Sequence, residues 1–342
     1  MRLFHTHFGR DGGAERFFVS LVNALAEAGV EQTLLIRPGR SWRGQLPASA
    51  EVHEGLPRLL TPSRFLLPWK FGRLLRAQRP AGVLAWMPRA ADFMPDWKGG
   101  LRAARLGDYP TSLKHFRNVD VLVCNTPGIA EHVKGLGWKR PVRVISNFTL
   151  VKPAAPAPRE ALGAPAGRFT VLGVGRFVRR KGFHTLIAAL RDVPDAHVCL
   201  LGEGEEEGNL RRQAAELGVA DRVRFAGWQP DPAPWLAACD VFVMPSVHEP
   251  LGNVILEAWG AGAPVVSSRS EGPSWMMRDG EDGLLFGLED AAGLAAALRR
   301  LRDDPALRAR LVEGGRRTLD ASFSRAAVTR AYVDLFTRPL TD

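Results

Sequence analysis

The sequence predicts an α/β architecture of two domains, each a parallel sheet covered by helices. Three observations carry that expectation. Short β-rich runs alternate with helical periodicity through both halves of the chain. The alternation breaks once, in a proline-rich stretch. The length of 342 residues also suits two domains of roughly 150 better than one.

In the first half, Leu3–Phe8 reads as a strand that runs into a turn at Gly9, Gly12 and Gly13. A helix from Ala14 to Ala28 then places Phe17, Phe18, Leu21, Val22, Leu25 and Ala28 on one face. Gly29 ends it before a strand at Gln32–Ile36. Further strands are expected at Gly82–Trp86, Val119–Cys124 and Val142–Ser146. Between Thr149 and Gly167 the periodicity is lost, and Pro153, Pro156, Pro158 and Pro165 spaced by alanines read as a stiff exposed linker. The domains are therefore expected at 1–150 and 168–323, with the linker at 151–167. Strands of the second half are expected at Thr170–Gly173, His197–Leu201, Val223–Phe225, Val241–Met244 and Pro264–Ser267. A last helix, Ser324–Phe336, has Val328, Ala331, Tyr332 and Leu335 on one face. Within 324–342 it is expected to pack back toward the N-terminal domain.

Composition narrows the function classes. With 46% hydrophobic and 24% charged residues the chain has the balance of a soluble globular protein. No run approaches the ~20 apolar residues of a membrane span. Met1 and Arg2 lead directly into a strand without a signal-peptide pattern, so a cytoplasmic location is expected. Cys124, Cys199 and Cys239 are isolated in apolar surroundings, which suits buried packing rather than a disulfide framework or a zinc site. The net charge of +10 is lopsided: residues 1–150 hold 22 Lys and Arg against 11 Asp and Glu, and the remainder 24 against 25. An anionic partner for the N-terminal half alone would explain that excess, and so would a plain solvated basic surface.

The densest chemistry lies in 245–268, PSVHEPLGNVILEAWGAGAPVVSS. Glu249 and Glu257 stand eight residues apart, a little over two helical turns if one helix holds both. If the helix starts near Gly252 instead, Glu249 lies in the loop before it. The N–H groups of Leu251, Gly252 and Asn253 are then offered to an anion. A nucleoside-diphosphate sugar fits that layout, with phosphates at the helix start and the two carboxylates on sugar and ribose hydroxyls. A second cluster, VLGVGRFVRRKGFHTLI at 171–187, puts Arg176 and Lys181 beyond a strand end, where two cations make a diphosphate clamp. Arg179 and Arg180 read as solvated bystanders. Hydride-transfer chemistry is disfavoured. Gly173-x-Gly175 has Val178 where the dinucleotide fingerprint needs glycine, and Gly202-x-Gly204 is followed by three glutamates. The Gly12-Gly13 turn allows close approach of backbone to a ligand, a weak signal by itself.

These motifs together resemble glycosyltransferase family 4, the retaining GT-B enzymes, over nearly the full chain. GGAERFFVSLVNALAEAGVEQTLLI is similar to the family's opening strand-and-helix unit, and VGRFVRRKGFHTLI to the start of its donor domain. Glu249 and Glu257 match its E-x7-E pair, and EDGLLF from Glu281 the turn that follows. The resemblance implies two Rossmann-like domains with parallel sheets facing across a cleft. It also implies Arg176 and Lys181 on the donor diphosphate, catalytic Glu249 on the donor sugar, Glu257 on the ribose, and Gly13 near the phosphates. The chain has no Asp-x-Asp metal-nucleotide motif, so no metal is expected, and the nucleotide sugar is a co-substrate rather than a cofactor. The stretch from Arg105, RLGDYPTSLKHFRNVDVLVCNTPGIAEHVKGLGW, resembles a proteobacterial branch that builds lipopolysaccharide and other surface glycans, with a glycan or lipid-linked acceptor. One departure stands out. Many members carry a histidine facing the transferred sugar where this chain reads Arg105-Leu106-Gly107-Asp108-Tyr109, leaving Asp108 or His115 as substitutes.

Two alternatives remain at this stage: a sugar-nucleotide epimerase on the same architecture, and a sugar-nucleotide or glycan-binding protein without turnover. A last feature bears on the acceptor. From Arg58 to Arg79, Arg58, Arg64, Lys70, Arg73, Arg76 and Arg79 interleave with Leu59, Leu60, Phe65, Leu66, Leu67, Trp69, Phe71, Leu74 and Leu75. With Pro62 and Pro68 dividing the stretch, a helix from Trp69 onward would have a cationic and an apolar side. It either packs on the sheet or docks on an anionic membrane surface, making the enzyme peripheral at the inner face of the membrane. No nucleic-acid-binding motif accompanies the charge, so nucleic acid is not an expected partner.

Overall fold

The computed structural model describes residues 1–9, 13–55 and 63–339. The chain divides into two compact units, Met1–Phe148 with Arg325–Asp342, and Thr149–Ser324.

The first unit is built on seven parallel strands: β1 (Arg2–His7), β2 (Glu31–Ile36), β3 (Glu51–Glu54), β4 (Gly82–Trp86), β5 (Leu101–Leu106), β6 (Val121–Cys124) and β7 (Val142–Val144). Their spatial order is β3-β2-β1-β4-β5-β6-β7, so the chain reverses direction across the sheet between β1 and β4. The helix Gly13–Glu27 buries Phe17, Phe18, Leu21, Val22 and Leu25 against one face, and Gly29 at φ 76° ends the segment. The same core receives the helix Arg325–Thr337 through Val328, Tyr332, Leu335 and Phe336. Gly82 makes this docking possible: a Cβ there would stand 2.3 Å from the Phe336 ring.

The helix on the opposite face spans Ser63–Gln78 with Pro68 inside it. This corrects a start at Trp69. Proline costs one backbone hydrogen bond near the helix start, and burial of Phe71 and Leu75 compensates. Its other side stays in solvent: Trp69 is 59% exposed, Lys70, Arg73 and Arg76 are exposed, and the Arg73 guanidinium lies 5.8 Å from the Trp69 ring. Arg58, Leu59, Leu60 and Pro62 lie outside the described residues, as do the side chains of Arg64, Phe65, Leu66 and Leu67.

The second unit holds six parallel strands, β8 (Phe169–Val174), β9 (Ala196–Leu201), β10 (Val223–Phe225), β11 (Val241–Met244), β12 (Val265–Ser268) and β13 (Leu284–Phe286), in the order β10-β9-β8-β11-β12-β13. Here the reversal falls between β8 and β11. Residues 151–167, read as an exposed linker, are tied into this unit. Leu162 is fully buried, the Ala157 N–H donates to the Pro234 carbonyl at 2.8 Å, and Arg159 pairs with Asp240 at 2.8 Å. Among the prolines, Leu162 joins the core cluster that holds Leu172 and Phe242. Cys124 and Cys199 are buried, and burial pushes their thiols up to about 12, as expected of packing residues.

Candidate active site at the switch point of the second sheet

Ligands of open parallel sheets bind beyond the carboxyl ends of the strands where the strand order reverses. In the second unit that point lies between β8 and β11, and the two loops there are latched together. Gly182 sits at φ 68° with its α-carbon hard against the next loop, so that a Cβ would be 1.9 Å from the Pro245 carbonyl oxygen. The Val247 N–H donates to the Arg180 carbonyl at 2.8 Å. This latch brings Lys181 Nζ within 2.5 Å of Glu249 Oε2, a short charge-assisted contact, and the Ser246 hydroxyl donates to the same oxygen at 3.2 Å. The two side chains keep 20% and 14% of their surface, so the pair is half-buried yet reachable.

Glu249 is held from behind as well. Its N–H donates to Glu271 Oε2 at 3.1 Å, and its carbonyl accepts from Gly272 N–H at 2.8 Å. Glu271 Oε1 lies 2.8 Å from His248 Nδ1. Burial pushes the Glu271 carboxyl up, but its own N–H, His248 and the Glu249 N–H outweigh that and hold it below the usual carboxylate range. Only glycine fits at 272, where a Cβ would be 2.2 Å from the Leu251 carbonyl oxygen.

The helix that follows is Asn253–Ala261, capped by Gly252 at φ 98°. Glu249 therefore lies in the loop ahead of it, and the two glutamates do not share one continuous helical face. Leu251 is buried in the core, so only its backbone can address a ligand. Glu257 is half-buried on the fifth residue of the helix, ~6 Å along the axis from Asn253. Arg176 is exposed two residues past β8 and makes no ion pair or side-chain hydrogen bond among the described residues. The neighbouring glycines serve packing between loops. A Cβ at Gly202 would be 1.9 Å from the Gly175 carbonyl oxygen, and the Phe177 N–H donates to the Glu203 carbonyl at 2.9 Å.

Sequence reasoning singled out Arg176, Lys181, Glu249, Gly252, Asn253 and Glu257 as separate contacts; the structure adds the direct Lys181–Glu249 pair. It missed Ser246, His248 and Glu271. The first two lie inside the quoted motif, and their polar character just beyond an apolar strand was the available signal. Glu271 follows β12, and only the strand order brings its loop beside that of β11.

In the first unit the same rule points between β1 and β4. His7 ends β1, fully buried, and its Nδ1 accepts from the Gly9 N–H at 3.3 Å. Its Nε2 is 3.9 Å from Glu15 Oε1. Burial, then the charge of Arg105, lowers the His7 imidazole to about 3; burial alone takes His5 to about 3. Met87, just past β4, adopts φ 68°, a strained conformation for a residue other than glycine. Arg105, at the end of β5, is buried with its guanidinium on the Tyr332 hydroxyl at 3.1 Å and on Asn147, stacked 4.7 Å from Phe17 and 5.1 Å from Trp86. Asp108 is exposed beyond β5, whereas His115 is 3.2 Å from Asp92. Gly13 is the first residue of its helix, and Arg10–Gly12 lie outside the described residues.

Comparison with known proteins bears on this geometry. Residues 156–318 match the family model described as glycosyl transferases group 1. The chain is 56% identical over 335 residues to the lipopolysaccharide core biosynthesis glycosyltransferase LpsE of Rhizobium meliloti, covering 98% of each chain. It is 53% identical over 338 residues to LpsD, a lipopolysaccharide core biosynthesis glycosyltransferase of the same organism, covering 99% of this chain and 98% of that one. Among solved structures it superimposes on HepE of Anabaena, determined in complex with UDP-glucose, with a TM-score of 0.80 at 21% identity over 98% of this chain and 99% of that one. Near-complete coverage at more than half identity leaves one assignment: the chain belongs to the group 1 glycosyl transferases, enzymes of the GT-B fold.

Proposed function

We propose that this chain is a retaining glycosyltransferase that moves a sugar from a nucleoside diphosphate to a hydroxyl of the lipopolysaccharide core. The carrying observation is the Lys181–Glu249 pair at the switch point, flanked by the uncommitted Arg176. The bond between the anomeric carbon and the diphosphate oxygen breaks, and the acceptor hydroxyl oxygen takes its place. The hydroxyl proton leaves on the diphosphate. Arg176, Lys181 and the N–H groups at Leu251, Gly252 and Asn253 neutralise the charge that builds on the leaving diphosphate, so no divalent metal is required. On arrival of the diphosphate, Lys181 exchanges the Glu249 carboxylate for phosphate oxygens, and Glu249 turns to the sugar. Glu257 holds the ribose, and the Gly13 backbone is assigned to the phosphates. The names of the two Rhizobium relatives support the acceptor class, and the HepE complex makes UDP-sugars the first donors to try.

The acceptor reading extends to the membrane. No helix among the described residues is long and apolar enough to cross one. The exposed face of Trp69, Lys70, Arg73 and Arg76 instead rests on anionic headgroups at the inner face of the cytoplasmic membrane, where a lipid-linked acceptor is at hand.

The test is incubation with UDP-, GDP- and ADP-sugars, with and without core oligosaccharide, in EDTA. Slow donor hydrolysis that becomes transfer when oligosaccharide is added is expected, undiminished by EDTA. Epimerised donor, or no turnover with any donor, would sink the reading; activity lost in EDTA and restored by Mn²⁺ would sink its metal-free mechanism.

A further inference from the structure

The second unit contains a cavity of about 420 Å³ that the transfer reaction leaves unused. That volume falls within the ~300–1,000 Å³ typical of small-molecule sites. It opens at the far end of the helix Glu271–Met276, whose first residue braces Glu249. Trp275, four residues on and ~6 Å along the axis, forms one wall. Trp275 is 40% exposed, and its ring stands edge-to-face on the buried Phe323, centroids 5.8 Å apart. Around this aromatic face are polar groups with little to do inside the protein. Arg278 and Glu281 are exposed and make no side-chain hydrogen bond or ion pair among the described residues. Arg317 has only a loose contact with Glu313 at 3.5 Å. The buried carboxylate, Asp282, is already satisfied by the Arg278 N–H at 2.8 Å and the Thr318 hydroxyl at 2.9 Å.

We infer that this cavity is a second glycan site, taking one or two pyranose units on the Trp275 face at a distance from the donor. The chemistry selects that class. A pyranose offers an apolar C–H face to an aromatic ring and pairs of hydroxyls to a guanidinium and a carboxylate. A nucleotide or other phosphate would meet Glu281 and Asp282, whose charges offset those of Arg278 and Arg317. A purely apolar ligand would take water from Arg278, Glu281 and Arg317 and give them no partner in return. The choice of a glycan rests on the chain being a glycan-building transferase. A site of this kind holds an oligosaccharide beyond its reacting end.

The test labels the full chain with 5-fluorotryptophan and follows the nine tryptophan resonances, the Trp275 line being identified by its absence in Trp275→Phe. The probes are lipopolysaccharide core oligosaccharide freed of lipid and, separately, UDP. The oligosaccharide should shift the Trp275 line saturably and UDP should not. Arg278→Ala with Glu281→Ala should weaken that response about tenfold without changing donor hydrolysis. A Trp275 line indifferent to oligosaccharide, or responsive to UDP, overturns the site whether or not transfer occurs. A saturable shift in a chain that transfers no sugar would keep the site and sink the catalytic reading, so the two failures are distinguishable.

Discussion

Gly182 and Gly272 act by what they lack. Each lets one loop lie against the carbonyl of another, and between them they fix Lys181 and Glu249 to within one hydrogen-bond length. Gly182→Ala meets two obstacles, a left-handed backbone and a carbonyl oxygen 1.9 Å from the new methyl. It should cost ~1–3 kcal/mol of stability, read from the thermal midpoint. Donor turnover measured well below that midpoint should fall more than the unfolded fraction explains, because the loops separate and the pair opens. Unchanged turnover would remove the Lys181–Glu249 contact from the machinery. The pair also cautions against reading Lys181→Ala as the loss of one cation. It would leave a half-buried Glu249 uncompensated, a cost separate from any phosphate contact.

At the level of elements, β1 carries two buried histidines into the carboxyl edge of the first sheet. Both are held near 3 in the fold against 6.5 unperturbed. The unfolded chain therefore takes up protons first. The stability of the first unit is fully present above about pH 6.5 and falls as pH drops toward 3, by up to ~1.4 kcal/mol per pH unit for each histidine. Denaturation between pH 6.5 and 4.5, above most carboxylate titration, should show that slope, and His5→Gln with His7→Gln should flatten it. An equal slope in the double variant would mean the histidines are not buried neutral. Strands were legible where apolar runs mark them, as at Gly82–Trp86 and Val241–Met244. β5 was not, because Arg102 and Arg105 interrupt its apolar run, Arg102 pairing with Asp96 and Asp120 and Arg105 with Asn147 and Tyr332. β3, a four-residue edge strand reading Glu-Val-His-Glu, and the three-residue β13 carry too little pattern to find. In the candidate site, motif spacing singles out each of Arg176, Lys181, Glu249 and Glu257 separately. The meeting of Lys181 with Glu249, 68 residues apart, depends on β8 lying beside β11, which no local pattern encodes.

Across the whole molecule, basic residues are in excess in 1–150 and the rest of the chain is close to neutral. At an anionic surface each Lys or Arg contributes about 1 kcal/mol, so Lys70, Arg73 and Arg76 together would hold the enzyme reversibly. Co-sedimentation with anionic liposomes at low salt should exceed that with neutral ones and should fall at high salt or in the triple alanine variant. Equal recovery with both vesicle types would leave the face as ordinary solvated surface. The central claim, that the switch point of the second sheet is the donor site, is tested most directly by titrating the full-length protein with UDP alongside turnover for two variants. Glu257→Ala should weaken UDP binding tenfold or more through lost ribose contacts. Glu249→Ala should bind UDP as well as wild type or better, since Lys181 is released to the diphosphate, while turnover falls by at least tenfold, ~1.4 kcal/mol of transition-state stabilisation. Loss of UDP binding in Glu249→Ala, or wild-type UDP binding in Glu257→Ala, would contradict the account.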